Sequence, residues 1–385
     1  MKADGDGVRD EVGFLALHQA FADRFFPGTS VLHTRLRYAL FVPWLMAHSL
    51  GEPERLKSSE QILTGQLKRR SDDEEGDDKD GVIGGRYWPT PPAQPASMIY
   101  WTALSRWKIL QPRVDGVSSS RSDILKRIGS MHGLAASVPQ GDDGEPVIDV
   151  DVASFIKLPS PPSGFLKEGK RMDFSLTEPE RKFLRRQLIC VPRGAESNQS
   201  FLARIAEAGL PEGRVPNAWH KSVSKFADAQ DRDVLKIAKH SAALAGIGRA
   251  VYAALVEEAK TRDGFSRTTR HRDDVKRLVE QCGDDAKAFD SLALTTMFPD
   301  LPRNLVEVLR TTHAWLLKGN HRVSGLADVY RIAELARKDT RARLDTRVSG
   351  SRRRAEWSAE KHPLAAPLHF RWGNVVRLLT DLNAP

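Results

Sequence analysis

Cysteine is nearly absent from this chain: Cys190 and Cys282 are the only two in 385 residues. That excludes a disulfide framework and a four-cysteine zinc site. Long apolar runs are missing too. The longest, Leu40 to Ala47, is interrupted by Pro43 and falls far short of the ~20 apolar residues that a membrane-spanning helix needs. The first residues, MKADGDGVRDEVGF, lack the apolar core of a secretory signal. No membrane association and a cytoplasmic location with reduced thiols are therefore expected. Catalytic signatures are equally scarce. There is no Gly-x-Ser-x-Gly elbow, no Gly-x-x-x-x-Gly-Lys-Ser/Thr phosphate loop and no His-Glu-x-x-His or His-x-x-x-His pair. Gly246-x-Gly248 lacks the third glycine of a dinucleotide loop. No cofactor and no metal are expected.

What remains is an ordinary globular mixture, 40% hydrophobic and 28% charged. It is too apolar to be disordered throughout and long enough for two or three domains. Lys and Arg total 59 against 50 Asp and Glu, a net charge of +9, which favours a polyanionic partner over a cationic one.

Helical spacing dominates the pattern. Phe14, Leu17, Phe21 and Phe25 share one helix face, and Pro27-Gly28 stops that helix. Thr29 or Ser30 offers a cap for a second helix through His33–Phe41, which Pro43 kinks or ends. Residues 71–80, SDDEEGDDKD, hold seven acids and read as an exposed loop. Helical spacing returns over 98–110. A Ser-capped helix ending at Gly129 follows, and the two are compatible with a helix-turn-helix. Residues 147–156 alternate apolar and acidic side chains, as a short strand does, and Pro159, Pro161 and Pro162 make a stiff connector. Thr177-Glu178-Pro179-Glu180 has capping-box spacing and predicts a helix through Leu188. A long apolar stripe spans 231–260. Its Gly246 and Gly248 weaken a helix by ~1 kcal/mol each relative to Ala, but permit close approach of another element. Further helices are expected at 286–297, 303–318, 324–345 and 374–382.

The expected fold is thus mainly α: a multi-helix bundle with a helix-turn-helix-like N-terminal part and at most a small β element near 147–156. Its parts are an N-terminal helical domain (1–158) with the acidic loop 71–80, a Pro-rich linker (159–176) and a C-terminal helical domain (177–385).

The strongest functional signal is clustered basic charge. Lys260–Arg277 carries seven Lys/Arg and three Asp, and Arg331–Arg354 nine Lys/Arg and three acids. Concentrated arginine neutralises phosphates and releases counterions. Candidate nucleic-acid-binding residues there are Arg267, Arg270, Arg272, Arg352, Arg353 and Arg354. Arg35 and Arg37, about 200° apart on a helix, would let one reach a partner while the other braces the core. Arg106, beside Trp101 and Trp107, has the placement for a cation–aromatic stack. Trp44, Trp101, Trp107, Trp315 and Trp372 are read as core residues. A competing reading takes Asp142, Asp149 and Asp151, in an acidic cluster with Asp143 and Glu145, as Mg²⁺ ligands of a nuclease.

Three stretches, FADRFFPGTSVLHTRLRYALFVPWLM (21–46), GVIGGRYWPTPPAQPASMIYWTALSRWKIL (81–110) and FRWGNVVRLLTDL (370–382), resemble a bacterial family catalogued only as a domain of unknown function. The resemblance implies a setting in phage-defence gene neighbourhoods, beside helicases, phospholipase-D-like nucleases and methyltransferases. It brings no catalytic residues. The expected function is therefore an accessory, non-enzymatic subunit of an antiphage system. It would bind DNA or RNA, a partner helicase, nuclease or methyltransferase, or both. The alternatives are the Asp142/Asp149/Asp151 nuclease and a purely protein-binding scaffold.

Overall fold

Helix periods and caps in the sequence translate into a mainly helical backbone. The computed structural model describes residues 11–73, 81–112, 119–137, 154–194, 196, 198–265, 267–319 and 322–384. Among these there are sixteen α-helices and no strand, with two isolated antiparallel bridges, Leu110 to Phe155 and Pro192 to Gln199. In chain order the helices are α1 (Phe14–Phe25), α2 (Tyr38–His48), α3 (Pro53–Asp73), α4 (Ala96–Ile99), α5 (Trp101–Arg106), α6 (Arg121–Ser137), α7 (Glu178–Ile189) and α8 (Phe201–Ala208). There follow α9 (Lys221–Ser224), α10 (Ala229–Arg262), α11 (Arg270–Lys287), α12 (Ser291–Met297), α13 (Arg303–Leu317), α14 (Ala327–Lys338), α15 (Val348–Glu356) and α16 (Trp372–Asn383).

The chain forms two compact units. The first comprises Asp23–Arg214 and is completed by the residues from Arg371 onward; the second comprises the segment up to Ala22 and Val215–Phe370. The Pro-rich stretch 159–176, expected to link two domains, is packed inside the first unit. Trp44 donates its indole N–H to the Pro159 carbonyl (3.0 Å). Phe165 stacks on Phe41 with ring centroids 6.1 Å apart. Gln66 binds the Gly164 and Lys167 carbonyls and the Leu166 amide. The prolines sit at exposed or half-buried positions of a loop that these contacts hold against the unit.

In the first unit, α2 runs through Pro43. Every residue from Tyr38 to Met46 is buried, so apolar packing on all sides outweighs the one hydrogen bond that proline removes. Residues 29–37, expected to begin this helix, form turns instead. The acidic stretch divides: 71–73 finish α3, and 74–80 lie outside the described residues. So do 113–118, the turn of the expected helix-turn-helix, and 138–153, most of the expected β element. The capping box opens α7 as its spacing predicts, with Glu180 Oε2 accepting from the Thr177 amide at 2.8 Å. Trp44, Trp107 and Trp372 are buried as read from the sequence, whereas Trp101 is only half-buried.

The second unit is organised on the 34-residue α10, which packs along α11. A Cβ on Gly246 would stand 2.9 Å from Pro367 Cα, and one on Gly248 2.7 Å from Phe14 Cζ. The two glycines thus sacrifice helix propensity for close approach. Trp315 is also buried in this unit.

Candidate nucleic-acid interface

The two basic segments come together in the second unit. α10 ends at Arg262, and a turn through Gly264, whose φ of +81° suits glycine, leads to α11. Arg354 on α15 reaches this turn. It pairs with Asp263 at 2.7 Å and donates to the carbonyls of Arg343 (2.5 Å) and Asp345 (2.8 Å). The Arg354 hydrogen bond holds the Asp263 carboxyl below the usual carboxylate range. Lys260 donates to the Ala355 and Trp357 carbonyls where α15 ends. Arg270 donates to the carbonyls of Ala359, Glu360 and His362. Cations of one segment therefore satisfy carbonyls at and beyond the C-terminus of the other's helix, where the orphaned carbonyls favour positive charge. From the opposite side, the buried Glu257 accepts from the His271 and Arg272 amides at 3.2 Å each and caps the first turn of α11.

Some predicted residues are spent on this stitching and others are left over. Arg354 is buried and Arg270 is half-buried among carbonyls. Arg272 lies 3.8 Å from Glu257. Arg262, Arg267 and Arg352 are exposed, with no ion-pair partner within 4.0 Å among the described residues. Arg353 pairs with Glu356 at 3.0 Å, but its side chain is 42% exposed, and such a pair contributes little. Between Arg262 and Arg267 stands Phe265, itself exposed.

The remaining candidates belong to the first unit and play different parts. Arg37, expected to project from a helix, lies just before α2 and is buried; its guanidinium binds Asp173 at 3.0 Å and Glu180 at 2.8 Å. Arg35 pairs with Asp381 at 3.0 Å and covers the Phe174 ring at 4.6 Å. Both therefore brace their unit. The carboxylates responsible lie 136 or more residues away, beyond the reach of any local pattern. Arg106 is exposed, and among the described residues it stacks on neither Trp101 nor Trp107. Trp107 is held in the core, with its indole N–H on the Pro27 carbonyl at 3.1 Å.

A model of the family of unknown function DUF6361 matches residues 4–273. The chain belongs to that family. No curated protein and no solved structure matches it. The DUF6361 match ends inside α11, so α15 with Arg352, Arg353 and Arg354 lies beyond it. The acidic cluster Asp142, Asp143, Glu145, Asp149 and Asp151 falls within the DUF6361 match but outside the described residues. Among the described residues, no group of three His, Cys, Asp or Glu side chains is placed to hold a metal ion. Among the described residues, no helix is long and apolar enough to cross a membrane.

Sequence reasoning passed over two carboxylates, the buried Glu334 and the half-buried Glu60. In the second unit Glu334 accepts from the Tyr252 hydroxyl at 2.6 Å, from the Leu344 amide at 2.8 Å and from Lys338 at 3.3 Å. In the first, Glu60 occupies a core-facing position of α3. The signal for Glu60 was present: Leu56, Leu63 and Leu67 mark a buried stripe of helical period, and position 60 continues it.

Proposed function

We propose that this chain is a non-enzymatic, nucleic-acid-binding subunit whose contact surface is the junction of the α10–α11 turn with α15. In the phage-defence setting that the resemblance implies, it would hold DNA or RNA for a partner helicase, nuclease or methyltransferase. One observation carries the reading: segments 260–277 and 331–354 are sewn together by Arg354–Asp263 and by the Lys260 and Arg270 carbonyl contacts. That stitching occupies Lys260, Arg270 and Arg354, while Arg262, Arg267, Arg352 and Arg353, on the two segments it joins, keep exposed side chains. Guanidinium forks match phosphate oxygens in pairs.

Fluorescence anisotropy with labelled DNA and RNA at rising salt tests this. Each phosphate neutralised adds about 0.9 to the slope of log K against log salt for duplex DNA and about 0.7 for single strands. Replacing Arg262, Arg267, Arg352 and Arg353 together by Ala is expected to lower that slope by about 3 to 4. Absence of any retention even at ~50 mM salt would overturn the proposal and leave a protein-binding scaffold.

A further inference from the structure

The first unit contains a cavity of about 240 Å³ that nucleic-acid binding does not use. Its walls are apolar: Leu56 and Leu63 of α3, then Ile83, Trp88, Pro92 and Pro95 from the 81–110 stretch that carries the family resemblance. The Trp88 wall is built into α3. A Cβ on Gly65 would stand 3.0 Å from Trp88 Nε1, so the ring lies against the helix only because residue 65 is glycine. Trp88 donates its N–H to the Gln61 carbonyl at 3.2 Å, and Gln61 answers through the Pro89 carbonyl at 2.8 Å.

Three charged side chains also line the cavity: the exposed Lys57, which pairs outward with Glu54 at 3.7 Å, and two of opposite sign, Glu60 and Arg121. Glu60 Oε1 accepts from the Ser97 amide at 2.9 Å, and Arg121 donates to the Ser97 hydroxyl at 3.1 Å. Both line the cavity, both engage Ser97, and neither makes an ion pair within 4.0 Å with any described residue. A carboxylate and a guanidinium so close together would ordinarily pair; here Ser97 stands between them. Burial holds the Glu60 carboxyl above the usual carboxylate range, against the opposing pull of the Ser97 hydrogen bonds and Arg121. A carboxyl placed on an apolar helix stripe costs stability, and such costs concentrate at functional sites.

We propose that this cavity binds a small zwitterion with an apolar body, an α-amino acid with an aromatic or large aliphatic side chain. Its ammonium would face Glu60, its carboxylate Arg121, and its side chain the Leu56–Leu63–Trp88 wall. Size supports the class. The cavity holds the volume of about eight waters and lies just below the ~300 Å³ at which drug-sized ligand pockets begin. A single amino acid fits a space of this size. Charge supports it too, because a ligand of one sign only would meet either Glu60 or Arg121 and leave the other, half-buried and held by Ser97 alone, without a counter-charge.

Isothermal titration of the full chain with L-phenylalanine, L-tryptophan and L-leucine tests the proposal, with phenethylamine and 3-phenylpropionate as analogues lacking one charge each. Saturable single-site binding of at least one amino acid is expected. Both analogues should be at least ~10-fold weaker, the usual penalty of one lost charge-assisted contact. Glu60→Gln and Arg121→Gln should each weaken binding to a similar extent, and Arg352→Glu should leave it unchanged. Equal affinity for either analogue, or no saturation by any amino acid up to ~10 mM, would overturn it. The ligand series uses the wild-type chain, so it decides the question even if a variant fails to fold.

Discussion

Replacing Arg37 by Ala separates a structural cation from a nucleic-acid contact. The Arg37 side chain is 5% exposed and Glu180 is 2% exposed, while Asp173 is partly open to solvent. Removing the guanidinium leaves the Glu180 carboxylate buried with the Thr177 amide as its donor. Breaking a buried pair in this way costs about 3–5 kcal/mol, mostly as the penalty of the orphaned charge. The unit concerned has about 200 residues, for which each kcal/mol shifts Tm by ~2–4 °C. Arg37→Ala should therefore lower the melting temperature by roughly 6–20 °C. Arg37→Ala with Glu180→Gln should recover part of that loss, since the uncompensated charge is gone. Calorimetry measures the melting, and anisotropy at fixed low salt measures nucleic-acid binding below the transition. An unchanged Tm combined with a several-fold loss of nucleic-acid affinity would refute the bracing role and return Arg37 to the surface.

Three further outcomes follow from the geometry. Gly248→Ala should destabilise the second unit by about 1–3 kcal/mol in urea titrations despite the better helix propensity of alanine, because its methyl would overlap Phe14 and Tyr330; a gain in stability would dismiss the close approach. Tyr252→Phe removes a 2.6 Å donor from the buried Glu334 and should cost about 1.5–3 kcal/mol by the same assay. Burial pushes the His33 imidazole down to about 4 from 6.5, and its Nε2 donates to the Ile99 carbonyl. The unfolded chain thus takes up this proton first. Stability contributed by neutral His33 is present above pH 6.5, falls as pH drops toward 4, and amounts to about 3 kcal/mol. His33→Gln should flatten that part of the stability profile relative to the wild type, and identical profiles would contradict the assignment.

The sequence announced helices where a wide apolar face or a cap marked them: α1, α7, α10, α13 and α16 follow the spacing of their buried residues. It concealed α3 and α11. Their buried stripes, such as Leu56, Leu63 and Leu67, are narrow and set among charges, so polarity masks the period. The limits of the units were hidden for a different reason. Prolines at 159, 161 and 162 look the same in a spacer as in a loop clasped by Trp44, Phe41 and Gln66. Basic segments were legible as composition, but their sorting was not. Only tertiary contacts show that Arg354 is consumed by Asp263, 91 residues away, while its neighbour Arg352 stays exposed.

The first unit closes with α16, where Asp381 holds Arg35 and the Leu36 amide and Arg371 reaches Asp23 and the Thr29 carbonyl. During synthesis those N-terminal groups wait without their partners while all of Val215–Phe370 is being made. The early body therefore spends most of translation incomplete, and a ribosome that stalls anywhere before residue 371 leaves Arg35 and Asp23 without the contacts that finish it.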